Sequence, residues 1–452
     1  MSAAEPSHVP LPVGFGVTFD PGVRFFHGGT VLWGGHPSRV LKLTTAGRRA
    51  LTALTRGTVT DRATGLLARR LVDAGLAHPR PPAARPSVTV VIPVREQHDD
   101  LARCLASVGT AHPVIVVDDA SPDPAPIASA CARFGARVVR RAVPGGPAAA
   151  RNTALPGVDT ELVAFVDSDC IVAPTWLAEL AGHFADHMVT ACAPRVVGCS
   201  RHDVDGDLVP SPLDMGPHAA VVAPMGRVSY LPTAALLVRR AALGGGFDEQ
   251  LRYGEDVDLV WRLIDAGGRV LYDPTVRVRH AEPESRRTAL VRRFRYGTSA
   301  APLSRRHPGR LAPLVLHPAT AVAVGLALLG RPAAATLAGA VTTGWVAARL
   351  SKHGVPWRFG LRVGGRAVQQ SFLGTARAGV QLYLPLLLAL ATLPRRQQRA
   401  AALGLLLAGS VPPREATDRL AYGLGVWRGC AREHTFAPVR PLVTRGHPGA
   451  TP

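Results

Sequence analysis

Apolar and polar positions alternate along the 452-residue chain in three different rhythms. Up to about residue 80, VRFFHGG (23–29) and TVLWGGHPSRVLKLT (30–44) read as strands joined by glycine turns. TTAGRRALTALTRG (44–57) and DRATGLLARRLVDAGLA (61–77) place apolar residues at helical spacing, with Thr44 or Thr45 available to cap the first helix. The proline-rich HPRPPAARPS (78–87) marks the clearest boundary in the sequence. From residue 86 to about 300, short apolar strands alternate with helices. The strands are SVTVVIPV (87–94), HPVIVVDDAS (112–121), ARVVRRA (136–142) and TELVAFVDSD (160–169). Helices are expected near 98–109 and 125–134, with another opening near 146. This βαβαβ rhythm predicts a parallel sheet with helices on its faces, which binds ligands beyond the carboxyl ends of its strands.

The third rhythm begins near residue 305, with four uncharged runs at 311–330, 332–348, 378–394 and 400–413. Only the first two approach the roughly 20 residues of a spanning helix, and all four contain Pro, Gly or polar residues. The expected division is 1–80 as a small winged-helix-like module, 81–86 as linker, 87–300 as an α/β catalytic domain and 301–452 as a helical region.

Charge sharpens this picture. The chain carries 52 Lys and Arg against 32 Asp and Glu, yet the stretch between Glu284 and Glu415 holds nineteen cations and no carboxylate. Interleaved with long apolar runs, that basicity suits an anionic membrane surface better than a nucleic acid. Association with the cytoplasmic face of the membrane, peripheral or shallowly inserted, is therefore expected; otherwise the protein is cytoplasmic. No nucleic-acid partner is expected. The six cysteines form no CxxC pair, which suits free thiols and argues against structural zinc. The opening MSAAEPSHVPLPVGFG lacks the basic start and apolar run of a signal peptide.

Candidate chemistry gathers at the strand ends. In FVDSDC (165–170), Asp167 and Asp169 are one residue apart, and on an extended backbone both point the same way. Two such carboxylates can hold one divalent cation, with diphosphate oxygens as the remaining hard ligands. An isolated DxD is more often a polar loop or helix cap. Here it follows VVDDASPD (116–123), where Asp118 and Asp119 can bond a base or ribose. It also follows GGPAAARNTAL (145–155), whose Arg151 and Asn152 at a helix start suit a diphosphate. Downstream, Glu255 and Asp256 open a helix patterned by Val257, Val260, Leu263 and Ile264. A carboxylate there can take the proton of an attacking hydroxyl, and Asp256 is the preferred base. Asp258 is read as a partner of the helix dipole. His280, after the strand VRVR, is either a metal ligand or an ordinary surface residue.

These residues resemble the family 2 glycosyltransferases of GT-A fold, a Rossmann-like mixed sheet with flanking helices. The likeness rests on VTVVIPVRE, VVDDAS, GGPAAARN, FVDSD, the GGFDE loop, GEDVDLVWRL and the late VRVRH. The resemblance implies metal-dependent inverting transfer, with Asp119 at the nucleobase and Arg151 near the nucleotide. It also implies Asp167 with Asp169 at ribose and metal, Asp256 as base, and His280 as a metal ligand. The expected nucleotide-sugar set is thus Pro93, Asp118, Asp119, Arg151, Asn152, Asp167 and Glu255. The expected ligands of a Mg2+ or Mn2+ ion are Asp167, Asp169 and His280.

A narrower likeness, to the glycosyltransferases of the mycofactocin system, is carried by the opening LPVGFGVTFDPGVRFFHGG, by FRYGTSAAPLSRRHP (294–308) and by RLAYGLGVWRGC (419–430). It implies that residues 1–80 recognise peptide. It further implies sequential β-linked transfer of glucose from UDP-glucose onto a peptide-derived redox cofactor. Two competing readings stand beside it. One is a membrane glycosyltransferase acting on a polyprenyl-phosphate or other lipid. The other is a regulator whose first zone binds DNA, which few basic residues on its helices support.

Overall fold

The computed structural model describes residues 9–85, 87–204 and 206–444. The first eight residues of the opening segment and Pro86 of the linker lie outside these ranges. Two compact units emerge among the described residues: one joins residues 9–21 with Arg49–Ser285, the other joins Gly22–Arg48 with residues 286–444.

The first 80 residues contribute β1 (Gly16–Phe19), β2 (Arg24–Phe26), β3 (Val31–Gly34), β4 (Arg39–Lys42), α1 (Thr45–Arg56), α2 (Arg62–Asp73) and β5 (Ala77–Arg80). Of the two candidate caps for α1, Thr44 takes the role, its hydroxyl accepting the Gly47 N–H at 3.2 Å. Asp61 and Thr64 close a reciprocal capping box on α2. The strand content expected here is present, but it is shared between the units. β1 pairs antiparallel with β5, so His78–Arg80, the start of the proline-rich segment, belong to a strand of the module, and the linker begins after Arg80. In the same unit, α2 is held by a fully buried ion pair, Arg69 to Asp186 at 2.7 Å. The antiparallel β2–β3–β4 sheet instead belongs with the C-terminal helices. Phe26 and Trp33 meet Phe359 edge-on at 5.3 and 5.0 Å, and His27 Nε2 donates to Gly354 O at 2.7 Å.

The other unit is organised by a nine-stranded mixed sheet. Its first half is β6 (Val88–Val94), α3 (His98–Val108), β7 (Val114–Asp118), α4 (Ala125–Arg133), β8 (Arg137–Arg140), α5 (Gly146–Ala154) and β9 (Leu162–Val166). These elements fall within a few residues of the expected ranges. β8, β7, β6 and β9 run parallel, with β6 between β7 and β9. VTVVIPV and LVAFV are buried almost throughout, as strands covered on both faces must be. The order reverses beside β6, opening a crevice at the carboxyl ends of β6 and β9.

Completing the sheet are β10 (Cys170–Val172), α6 (Trp176–Ala181), β11 (Val189–Cys199), β12 (Ala220–Val221), β13 (Ala235–Arg239), α7 (Glu255–Asp265) and β14 (Arg269–Ala281). β13 is antiparallel to both β9 and β11, and β14 is parallel to β11. The edge strand β10 is antiparallel to β14. His280 therefore lies within β14, in register with Cys170, rather than after a strand. All six cysteines are buried and unpaired.

The second unit continues with α8 (Arg286–Thr298), α9 (Ala300–Arg306), β15 (Val315–Leu316), α10 (Pro318–Leu328), α11 (Pro332–Ser351), α12 (Trp357–Leu382), α13 (Leu384–Ala391), α14 (Arg396–Gly409), α15 (Pro413–Arg432) and β16 (Leu442–Val443). Residues 286–300, expected in the catalytic domain, group here. The run 378–394 is broken at Tyr383, where α12 gives way to α13 at a 105° bend. The segments 294–308 and 419–430 pack against each other. A Cβ at Gly425 would collide with Phe294 O, so α8 and α15 touch through bare backbone.

Candidate active site

The expected polar residues converge at the sheet's carboxyl edge, and each side chain has a distinct set of partners. Pro93 lies near the end of β6, in register with Val117. Asp118 is fully buried; its carboxylate accepts the Ser121 N–H at 2.9 Å and pairs with Arg140 at 3.1 Å, tying β7 to β8. Asp119 accepts the backbone N–H groups of Gly145 and Gly146 at 2.8 and 2.7 Å, with Arg141 Nε also at 2.9 Å. Gly146 adopts φ 82°, in the left-handed region that favours glycine. Both carboxylate oxygens of Asp119 are thus engaged by protein donors at the entrance to α5.

Arg151 and Asn152 sit beyond the first turn of α5 rather than at its start. Only 2% exposed, Arg151 donates to Asp167 Oδ1 at 2.7 Å and to Glu255 Oε1 at 3.1 Å. Its guanidinium lies 5.4 Å from the centre of the Phe247 ring. Asn152 clamps the GGFDE loop: Nδ2 donates to Phe247 O at 2.8 Å, while Oδ1 accepts the Phe247 N–H at 2.8 Å. Both residues therefore bind protein partners, which the reading of an open diphosphate cradle did not anticipate.

The DSD segment is a turn, not a continuation of the strand. β9 stops at Val166, and the Cys170 N–H closes on Asp167 O at 3.0 Å. In consequence the two carboxylates do not form the parallel pair expected of an extended backbone. Asp167 faces Arg151, whereas Asp169 Oδ1 lies 3.5 Å from His280 Nε2. The other ring nitrogen of His280, Nδ1, is 3.1 Å from Glu282 Oε1, and Ser211 Oγ donates to the same oxygen at 2.6 Å. Glu282 and Ser211 escaped the sequence reading. The H-x-E spacing at the end of β14, with Glu282 directly after the strand, was the available signal, because on an extended backbone residues i and i+2 share a face.

Charge in this cluster is unevenly balanced. Burial raises the proton affinity of Asp169, and burial does the same for Glu255 against the opposing pull of Arg151. Burial, then the neighbouring Glu255, pushes Asp256 up to about 7. Burial alone would depress His280, but Asp169 and Glu282 outweigh it and the net shift is upward. Asp256 and Glu255 are the first two residues of α7, and Asp256 Oδ1 accepts the Val257 N–H at 2.8 Å. Asp258 is buried and paired with Arg262 at 2.8 Å.

Among the described residues, no three His, Cys, Asp or Glu side chains form a ready-made metal cage. Asp169 and His280 nevertheless offer one hard oxygen and one imidazole nitrogen, backed by Glu282. That donor set fits a Mg2+ or Mn2+ ion that takes its other ligands from a diphosphate. Beside the turn, where Ser168 Oγ donates to Gln97 at 3.1 Å, lies an open polar cavity of about 330 Å³. Its walls include Glu96, His98, Arg103, Arg201 and His202.

Comparison with known proteins places this arrangement. Residues 89–241 match the family Glycosyl transferase family 2. Over 96% of its length the chain is 38% identical to the pre-mycofactocin glycosyltransferase of Mycobacterium tuberculosis, covering 98% of that protein. The chain belongs to the family 2 glycosyltransferases. This glycosyltransferase is also 30% identical, over 41% of its length and 59% of the relative's, to the succinoglycan biosynthesis protein ExoU of Rhizobium meliloti. Among solved structures, it is similar to a mannosyltransferase from Pyrobaculum calidifontis in complex with GDP-Man and Mn2+. The identity is 19% and the TM-score 0.46, over 78% of this chain and 88% of that one. Membership of family 2 brings with it the GT-A fold that the motifs implied, and the nine-stranded mixed sheet agrees with it.

Proposed function

We propose that this glycosyltransferase moves glucose from UDP-glucose onto a pre-mycofactocin-like, peptide-derived acceptor, inverting the anomeric carbon. The near-full-length likeness to the pre-mycofactocin enzyme supports the acceptor. The choice of glucose, the β linkage and repeated transfer rest on the same resemblance. One observation carries the chemistry: Arg151 bonds both Asp167 of the DSD turn and Glu255 at the head of α7, which sets the adjacent Asp256 beside the donor-side carboxylates, where burial pushes its carboxyl up to about 7. A base tuned near the working pH combines a useful ionised fraction with real proton affinity.

In this reading the acceptor hydroxyl oxygen attacks the anomeric carbon from the face opposite the diphosphate. Its proton passes to Asp256, the carbon–oxygen bond to the diphosphate breaks, and the nucleoside diphosphate leaves with the bonding electrons. Asp119 holds the entrance to α5, Asn152 fixes the loop before α7, and Arg151 anchors both Asp167 and Glu255. Asp169 and His280, oriented by Glu282, would hold a divalent cation. When bound, that cation neutralises charge on the departing diphosphate.

Purified enzyme should be given a panel of sugar nucleotides with a pre-mycofactocin-type acceptor, and separately with extracted lipids, in Mn2+ or in EDTA. Metal-dependent UDP-glucose consumption with the peptide-derived acceptor supports the proposal. Transfer confined to the lipid extract would favour a polyprenyl-phosphate acceptor, a reading to which the apolar outer faces of the helical unit lend some support.

A further inference from the structure

We infer that the outward faces of α11, α13 and α14 form a docking surface for an anionic lipid bilayer, seated in the interface without crossing it. The inference is independent of the acceptor and concerns the helical unit alone.

The helices of this unit are built inside out. On α11, Leu337, Val341 and Trp345 recur every four residues and are 66, 63 and 47% exposed, whereas Ala335, Gly339, Thr342 and Ala347 face inward. Ala340, Gly344 and Ala348 fill the same outward face, which stays uncharged until Arg349. α14 repeats the scheme, with Leu403 and Leu407 outside and Ala402 and Gly409 inside. α13 exposes Leu386 and Leu388. A helix that meets water normally does the reverse, and contiguous exposed apolar surface marks an interaction site.

Charge selects the occupant. Arg331, Arg349, Lys352, Arg395, Arg396 and Arg399 stand exposed at the ends of these helices, within the stretch that lacks any carboxylate. A second copy would bring the same positive charge against itself. Anionic headgroups instead complement the cations while acyl chains receive the leucines. Trp345 lies under Arg349 at 5.3 Å, a pairing suited to the headgroup level.

Depth follows from length and charge. Among the described residues no single helix is long and apolar enough to span; only the bent pair α12–α13 passes by length and composition. α12 exposes Arg358, Arg362 and Arg366 at four-residue intervals, so that face cannot lie in hydrocarbon. A shallow seat is what remains.

The test uses the full chain with two vesicle types, pure phosphatidylcholine and an equimolar mixture with phosphatidylglycerol. Expected is flotation with the anionic vesicles, weakened by salt, together with quenching of tryptophan fluorescence by shallow brominated lipids. Leu403→Asn with Leu407→Asn should abolish flotation while circular dichroism is unchanged. Arg396→Glu should weaken it about fivefold or more. Absence of flotation with either vesicle would overturn the inference. So would a dimer that the double asparagine variant converts to monomer without any vesicle binding. Carbonate-resistant insertion released only by detergent would overturn the shallow seat.

Discussion

Replacing Asp256 by Asn should separate the cost of the site from its chemistry. The side chain keeps its shape and its bond to the Val257 N–H but can no longer ionise or accept a proton. In the folded protein the carboxyl is pushed from 3.8 up to about 7. Three units at about 1.4 kcal/mol each set a ceiling of about 4 kcal/mol. Asp256 is only half-buried and shares the shift with Glu255, so about 1–2 kcal/mol is expected. Because the folded-state value is raised, the destabilisation is absent below the unfolded value of 3.8, grows between there and about 7, and is complete above 7. The Asn variant should therefore melt several degrees higher than the parent at pH 8. The gain should shrink steadily towards pH 4. Meanwhile kcat for transfer should fall about 10²–10⁴-fold with little change in donor affinity. The parent's kcat should rise with pH through about 7 and then level. Differential scanning fluorimetry across pH and UDP release under saturating substrates measure both effects. A variant that transfers sugar at the parent rate removes Asp256 as base. An equal melting gain at pH 8 and pH 4 removes the charge as its cause.

Three further outcomes follow from the same geometry. Asp169→Ala should lose Mn2+-dependent binding of UDP, read by calorimetry with and without the metal, because half the protein donor set is gone. Glu282→Gln should weaken Mn2+ affinity about 10–100-fold by electron paramagnetic resonance while leaving metal-free UDP affinity unchanged, since the glutamate orients the His280 ring. Arg151→Met should destabilise the fold by about 3–5 kcal/mol in urea unfolding, because Asp167 and Glu255 would lose their shared buried cation.

The parallel half of the sheet was legible because VTVVIPV, VIVVD and LVAFV are continuous apolar runs separated by helices with clear periodicity. The helical unit was legible as helices but not as a packed unit. Its contacts pass through glycines such as Gly425 and Gly297, which carry no hydropathy signal. The first 80 residues read correctly as strands and helices, but their sharing between two units depends on Phe26 and Trp33 meeting Phe359, more than 300 residues away. At the site, residue types and order were visible, whereas partners were not. A spacing rule placed Asp167 and Asp169 on one face, but the rule presumes an extended backbone, and the chain turns there. Glu282 lay within reach of the same rule, applied to the extended chain that leaves β14 at Ala281.

The role of Arg151 follows from its neighbours rather than from its motif. Asp167, Asp169, Glu255, Asp256 and Glu282 bring five carboxylates into one cluster, and Arg151 is the cation that bonds both to the DSD turn and to the head of α7. Its position beyond the first turn of α5 lets a single guanidinium join the turn after β9 to the helix that carries the base. Those two segments are 88 residues apart, counting from Asp167 to Glu255, and share no strand pairing. A shift of Asp167 would alter the charge felt by Glu255, and Glu255 is the largest electrostatic influence on Asp256. The small residues of GGPAAARN then have a physical purpose. Ala148, Ala149 and Ala150 are buried, allowing α5 to sit close enough to the sheet for the arginine to reach both carboxylates. An arginine reaching out to solvent or substrate would need no such packing, so its principal work is to link the donor side of the cluster to the base.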